Sequence, residues 1–104
     1  MKLLAVFTTV ATLETARRMA RALVEHKLAA CAQIGEIESF YSWQGEVAND
    51  REFRILFKST EARYPALEAA IRELHDYELP AIHAVALEQV HAPYGRWIEE
   101  GCSP

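Results

Sequence analysis

The soft or borderline metal ligands in this sequence are the side chains of two cysteines and four histidines. Thiolate and imidazole together suit copper or zinc. No two cysteines and no two histidines stand close together in the chain. His83 and His91 would lie roughly 26 Å apart on an unbroken strand, because each residue adds about 3.3 Å. Metal binding by this pair would therefore require a second chain.

A second candidate group combines three aromatic side chains with one amine: Tyr41, Trp43, Tyr77 and Lys58. Aromatic rings with polar tips are common where one side is apolar and the other is wet, as in clefts and interfaces. One interpretation is a pocket between subunits that binds a small anion at Lys58. The alternative is that the rings pack between subunits and the lysine stays partly exposed.

The sequence argues against an enzyme. A phosphate-cradling loop of the acylphosphatase type needs glycine in the first turn between strand and helix, and Thr9 to Thr12 contains none. No Ser-His-acid set and no Cys-His pair stands in a recognisable nucleophile context. We therefore expect a protein without catalytic residues.

The length and net charge of the chain further limit which kinds of protein it can be. The 104 residues fit one domain, 1–104, that can bury a sizeable core. A net charge of −4 disfavours nucleic acid, whose phosphates require a basic surface. No apolar run reaches 18 residues and no signal peptide is recognisable, so we expect no membrane contact and a cytoplasmic location with reduced thiols.

A long β-hairpin organises the chain between Phe40 and Lys58, with its turn at Gln44-Gly45. The second arm alternates apolar and polar side chains, as a strand with one buried face does. A domain of this size cannot cover such a hairpin alone, and unpaired strand edges invite pairing. The hairpin therefore predicts assembly with another copy.

The first half of the chain supplies a strand and a helix before this hairpin. Lys2 to Thr9 reads as a central strand, and Thr12 offers a hydroxyl that caps a following helix. Leu28 to Ile34 leads into a second strand, and Gly35 is expected to bend or bulge it.

The second half supplies a helix, a strand and a terminal helix. We expect a helix from Ser59 or Thr60, with Pro65 in its first turn. The next strand should span Ile82 to Val90, and Pro93 should start a C-terminal helix that Gly101 ends. The buried side of the first of these helices is predicted from its apolar spacing to consist of Tyr64, Leu67, Ile71 and Leu74.

This order of elements predicts an α+β fold of the ferredoxin-like, split βαβ kind. A four-stranded antiparallel sheet would carry two helices on one face, with an extra C-terminal helix. The other face needs a cover, which again predicts oligomerisation.

Five phrases of the sequence, in order along the chain, resemble the CutA family of divalent-cation tolerance proteins. Such proteins are homotrimers in which the long hairpin strands pair between subunits, and they require no cofactor. Copper and other divalent cations are linked to Cys, His and acidic residues around their subunit boundaries. The phrases are Lys27–Cys31, Ser39–Gly45, Phe57–Thr60, His75–Pro80 and Tyr94–Ile98.

The resemblance implies metal ligands at Cys31 and His75, although each could instead be a structural residue. Three positions depart from the family pattern. Asp76 replaces a proline, Ala81 replaces an acidic residue and Glu46 replaces a basic one. The alternative function is a PII-like trimer that senses a small anionic ligand or a nucleotide between subunits.

Overall fold

The computed structural model describes residues 2–104, which form seven elements in one chain. They alternate in the order strand, helix, strand, strand, helix, strand, helix. The elements are β1 (Leu3–Val10), α1 (Leu13–Glu25), β2 (Cys31–Trp43), β3 (Glu46–Thr60), α2 (Tyr64–Leu74), β4 (Ile82–Ala86) and α3 (Ala92–Gly101).

The four strands form one antiparallel sheet in the order β2-β3-β1-β4. The predicted α+β class with an antiparallel sheet and an added C-terminal helix is confirmed. Strand β1 lies between two neighbours and is mostly buried, as its run of apolar residues predicts.

The main core lies between one face of the sheet and helices α1 and α2. Val6 of β1 and Ile55 and Phe57 of β3 are fully buried there. Leu67 and Ile71 of α2 meet them in the same cluster. Leu74, predicted to share this buried side, is 38% exposed, because α2 ends there.

Helix α1 begins and ends by local hydrogen bonds. The Thr15 backbone N–H donates to the Thr12 hydroxyl at 3.1 Å, which confirms the predicted cap. At the other end, Lys27 takes a left-handed φ of 58° and Leu28 donates its N–H to the carbonyl of Leu23. This reversal directs the chain into β2.

The hairpin of β2 and β3 is continuous from the pair Cys31–Lys58 to the pair Trp43–Glu46. The predicted turn is confirmed: Gln44 and Gly45 have φ values of 50° and 80°, as a two-residue turn with two positive φ angles requires. The predicted bulge at Gly35 is wrong, because Gly35 pairs in register with Arg54.

Two predicted boundaries are also wrong. Strand β3 continues through Ser59 and Thr60, and helix α2 begins only at Tyr64. The Ser59 hydroxyl donates to the Leu28 carbonyl at 2.7 Å, a long-range bond that holds this segment in the sheet. Strand β4 ends at Ala86 rather than Val90, because its pairing with β1 ends at the pair Leu4–Ala86 and is followed only by the hydrogen bond from the Leu87 N–H to the Leu3 carbonyl, where β1 begins.

Helix α3 packs against Leu3 through Ile98 and Cys102 in a smaller cluster. A Cβ atom on Gly101 would lie 2.7 Å from the Cβ of Ala30, so this glycine permits a close approach of α3 to the start of β2. Gly101 is the last residue of the helix, close to the predicted end. Of the helices in residues 2–104, none is long and apolar enough to cross a membrane.

Candidate functional site

An open groove of about 1010 Å³ lies between the tip of the hairpin and the loop that follows α2. Its side chains Tyr41, Trp43, Asp50 and Glu52 are on the face of the sheet opposite α1 and α2, because they alternate along their strands with the residues that face the core. Three of the four side chains predicted to form a cleft line this groove: Tyr41, Trp43 and Tyr77. We call this region the hairpin groove.

Two tyrosine hydroxyls in the hairpin groove donate to carboxylates of β3. Tyr77 donates to Glu52 Oε2 at 2.9 Å, and Tyr41 donates to Asp50 Oδ2. Burial and then the hydrogen bond to Glu52 raise the pKa of Tyr77 well above its usual value. The hydrogen bond to Asp50 is the main cause that raises the pKa of Tyr41. Both phenols therefore stay neutral donors, and the groove carries negative charge.

His75 fixes the loop that carries Tyr77. Its Nε2 donates to the carbonyl of Thr9 at 2.8 Å, since a carbonyl can only accept. Its Nδ1 accepts the backbone N–H of Tyr77 at 3.1 Å. The ring is therefore the neutral Nε2–H tautomer, and its one lone pair in the ring plane is already in use. A metal ion would have to displace the Tyr77 N–H.

Lys58 does not join the aromatic residues of the hairpin groove. It is on the same sheet face, but six residues separate it from Glu52 along β3, about 20 Å at the rise of a strand. Its Nζ lies 3.3 Å from Gln33 Oε1 and 3.5 Å from the hydroxyl of Tyr94. The four side chains predicted to form one cleft therefore lie in two places, the three aromatic residues in the hairpin groove and Lys58 near Tyr94.

The two predicted metal ligands are also apart. Cys31 pairs across the sheet with Lys58, which pairs with Ala5 of β1, whereas His75 bonds to Thr9 at the other end of that strand. Four strand residues span about 13 Å, too far for one ion to bridge. Within residues 2–104, no three His, Cys, Asp or Glu side chains are grouped to hold a metal ion. The residues of a single chain therefore do not form the predicted metal site.

The remaining cysteine, Cys102, and one of the remaining histidines, His83, pack against neighbouring side chains. Cys102 is buried, and this burial raises the pKa of its thiol, so it stays protonated. His83 of β4 stacks on Phe7 of the neighbouring strand β1 at a centroid distance of 5.1 Å. Strand β4 ends at Ala86 and His91 precedes α3, so the unbroken strand that would carry both histidines does not form.

The sequence did not predict the residues that hydrogen-bond to Lys58 and Cys31 or to the tyrosines of the hairpin groove. Tyr94 contacts both Lys58 and Cys31, whose Sγ is 3.9 Å from its hydroxyl. Glu52 and Asp50 are the acceptors of the groove tyrosines. The alternation of β3 places both carboxylates on the face of Lys58, but only the register of the sheet and the position of α3 reveal the contacts.

Comparison with known proteins decides the family. The sequence profile described as "CutA1 divalent ion tolerance protein" matches residues 4–101. This chain belongs to the CutA1 family. A divalent-cation tolerance protein CutA from Thermus thermophilus is 41% identical over 96 residues, which cover 91% of this chain and 93% of the relative. Its counterpart from Thermotoga maritima is 39% identical over 95 residues, covering 91% and 94% respectively.

A solved CutA structure has the same fold. The protein from Archaeoglobus fulgidus, described as periplasmic, superposes with a TM-score of 0.94 at 31% identity and covers 97% of this chain and 99% of its own. The predicted CutA resemblance is thus confirmed, and these relatives bear the names of tolerance proteins rather than enzymes. The PII-like alternative gains no support from them.

Proposed function

We propose that this chain acts in divalent-cation tolerance as a non-enzymatic homotrimer of ferredoxin-like protomers. The names of its CutA relatives support the role. The succession of elements and the strand order β2-β3-β1-β4 support the ferredoxin-like description. The number of copies is taken from the family resemblance.

The outer part of the hairpin is the observation that carries the proposed assembly. Strand β1 pairs with β3 only as far as the pair Val10–Phe53. Beyond it, Ile37 to Trp43 and Glu46 to Glu52 form a two-stranded ribbon of seven residues a side, about 23 Å long. We call this ribbon the outer hairpin. A two-stranded ribbon is marginal in water without a further strand or a packed face.

The surface of the outer hairpin is apolar at several points. Phe40 is 67% exposed, Trp43 58% and Val47 76%, and Leu79 of the facing loop is 86% exposed. By the register of the hairpin, Phe40 and Val47 lie on the face that continues the core and Trp43 on the opposite face, so both faces of the ribbon expose large apolar side chains. Exposed apolar side chains of this size mark interaction sites. Strand β2 also offers an unpaired edge along its whole length. A second and a third copy would cover both features.

Trp43→Glu tests this assembly, because a buried charge without a partner disfavours association. We expect the variant to sediment as a smaller species than the wild type in analytical ultracentrifugation while it keeps the same secondary structure by circular dichroism. Lys2→Glu, on the exposed start of the chain away from the hairpin, is the matched control. Equal sedimentation of Trp43→Glu and the wild type would contradict the proposed interface.

The cation, copper or another divalent ion, is proposed to lie between copies, with Cys31 and His75 as ligands from different subunits. Cys31 is half-buried and is free of a disulfide, which leaves its sulfur available. His75 supplies Nδ1 once the Tyr77 N–H is displaced. Placing Cys31 and His75 on different chains removes the separation of about 13 Å that keeps them from sharing an ion within one chain.

Calorimetric titration with copper and zinc tests the proposed ligands. We expect saturable binding that is weakened in Cys31→Ser and in His75→Ala and unchanged in His26→Ala, which alters an exposed histidine at the end of α1. Heat no greater than dilution for the assembled protein would remove direct binding and leave the tolerance role indirect.

Growth in metal tests the role itself. We expect a strain that lacks the gene to grow less well than its parent in raised copper, zinc or cobalt, and the wild-type gene to restore growth. Equal growth of the two strains in all three metals would contradict the proposed function.

We propose a cytoplasmic location. The relative from Archaeoglobus fulgidus is described as periplasmic, so the two locations need a direct comparison. Cell fractionation with cytoplasmic and envelope marker proteins distinguishes them, and recovery of the chain with the envelope markers would overturn the proposal.

A further inference from the structure

We infer that a second site, built around Lys58, binds small planar carboxylates. Its four side chains belong to one chain: Lys58 of β3, Cys31 and Gln33 of β2, and Tyr94 of α3. We call it the Lys58 niche. It goes beyond the tolerance role, it shares Cys31 with the proposed metal site, and all four of its side chains come from the same chain.

The charge of Lys58 is not neutralised by its contacts. Its Nζ meets an amide oxygen and a phenol oxygen, at 3.3 Å from Gln33 and 3.5 Å from Tyr94, both near the long limit of a hydrogen bond. No Asp or Glu of residues 2–104 lies within ion-pair distance of this ammonium. A half-buried cation with only neutral partners is a favourable place for an anion.

Counting protons leaves donors free for a ligand. An ammonium has three N–H groups, and the two contacts described above use two of them. The Tyr94 hydroxyl accepts from Lys58, so its own proton can point to a ligand or to Cys31 Sγ, 3.9 Å away. Two donors on neighbouring side chains therefore stay free, which matches the two acceptor oxygens of a carboxylate.

The wall of the niche is aromatic. The rings of Tyr94 and Trp97 stack with a centroid distance of 5.7 Å and an interplanar angle of 14°. The two side chains are 38% and 49% exposed. The Lys58 Nζ also lies 5.8 Å from the Tyr94 ring centroid. A flat apolar ring attached to the carboxylate would find both stacking surface and charge there.

The hairpin groove differs from this niche in its charge. It has an aromatic lining too, but its lining holds three carboxylates, Asp50, Glu52 and Glu78, against one cation, Arg51. The two sites share a face of the sheet about 20 Å apart. One face thus carries an acidic aromatic groove and a basic aromatic niche.

The probe for this inference is benzoate, with benzamide as its neutral counterpart and acetate as a carboxylate without a ring. We expect benzoate to shift the amide resonances of Cys31, Gln33 and Tyr94 in heteronuclear NMR of the full chain. We expect benzamide and acetate each to bind about tenfold more weakly or worse, since a hydrogen bond to a charged group is worth about one tenfold step or more.

Two variants remove the charge in different ways. Lys58→Met keeps the apolar stem, and Gln33→Glu keeps Lys58 but supplies an internal carboxylate beside it. Both should weaken benzoate binding about tenfold or more. Lys2→Met makes the same change at an exposed lysine paired with Glu61, and it should bind benzoate like the wild type.

Cys31 provides a second readout within the niche. We expect benzoate to slow the alkylation of Cys31 by iodoacetamide in the wild type but not in Lys58→Met, as followed by mass spectrometry. The buried Cys102 stays unmodified in any variant that keeps its fold.

Four results would overturn the inference. They are benzoate binding that Lys58→Met leaves unchanged, benzamide binding as strongly as benzoate, benzoate shifts confined to Tyr41, Trp43 and Tyr77, and no shift up to tens of millimolar benzoate. None of these results bears on the proposed trimer, which the mass of the assembly tests separately.

Discussion

The two halves of the hairpin share the same strands but have opposite environments. At its base, β3 buries Ile55 and Phe57 completely under α1 and α2. In the outer hairpin, Phe40 and Val47 are mostly exposed. The same alternating pattern thus gives a core where helices cover it and a contact surface where none do. The difference indicates that the chain stabilises its base by itself and leaves the outer hairpin to neighbours.

Matched truncations of one phenylalanine at the base and one in the outer hairpin should give the largest difference in stability between the two regions. Phe57→Ala should lower the free energy of unfolding by about 3–5 kcal/mol, as other deletions of buried aromatic rings do. Phe40→Ala should leave the chain's own unfolding within about 1 kcal/mol and instead weaken assembly. Urea unfolding at several protein concentrations measures both, and equal losses in the two variants would break the comparison.

A second pair compares two glycines. Gly101→Ala places a methyl group 2.7 Å from the Cβ of Ala30, and we expect it to cost about 1–3 kcal/mol of unfolding free energy. Gly35→Ala has nothing within 4 Å, and its effect should be neutral or stabilising by up to about 1 kcal/mol. Thermal unfolding ranks the two variants, and the reverse order would contradict the packing described for α3.

The sequence predicts the local features of this fold well. The turn at Gln44-Gly45, the cap at Thr12 and the alternation of β3 depend on neighbouring residues, and the structure confirms all three. The extent of β3 is different. Ser59 and Thr60 suit a helix start, but the bond from Ser59 to Leu28 is formed across 31 residues of sequence.

The candidate site shows the same limit. The three aromatic residues Tyr41, Trp43 and Tyr77 are predictable as a group from their side-chain types, and all three line the hairpin groove. The place of Lys58 was not, because it depends on the register of β3 against β2 and on where α3 lies. Contacts between elements distant in sequence decide which side chains form a site.

His75 offers a smaller test at the junction of base and outer hairpin. His75→Ala removes two hydrogen bonds, each worth about 0.5–1.5 kcal/mol net, and should free the loop that carries Tyr77. We expect faster amide exchange at Tyr77 and a loss of about 1–3 kcal/mol. His26→Ala, at the exposed end of α1, is the control, and unchanged exchange at Tyr77 would contradict the role of His75.

The smallest effect concerns alkaline pH. The folded pKa of Tyr77 lies above its unfolded value of 10.0, so the folded state keeps this proton longer. Its contribution to stability is complete below pH 10 and is lost as the pH rises toward the folded pKa. Tyr77→Phe removes this titration and should narrow its stability gap to the wild type above pH 10. Parallel curves from pH 8 to 11 in urea unfolding would exclude the effect.

The mass of the assembly in solution tests most directly whether the outer hairpin needs neighbours. Light scattering coupled to size exclusion, at micromolar concentration, should give about 35 kDa, three times the 11.8 kDa of one chain. A mass of about 12 kDa, with the hairpin protected from amide exchange in that lone chain, would contradict the account.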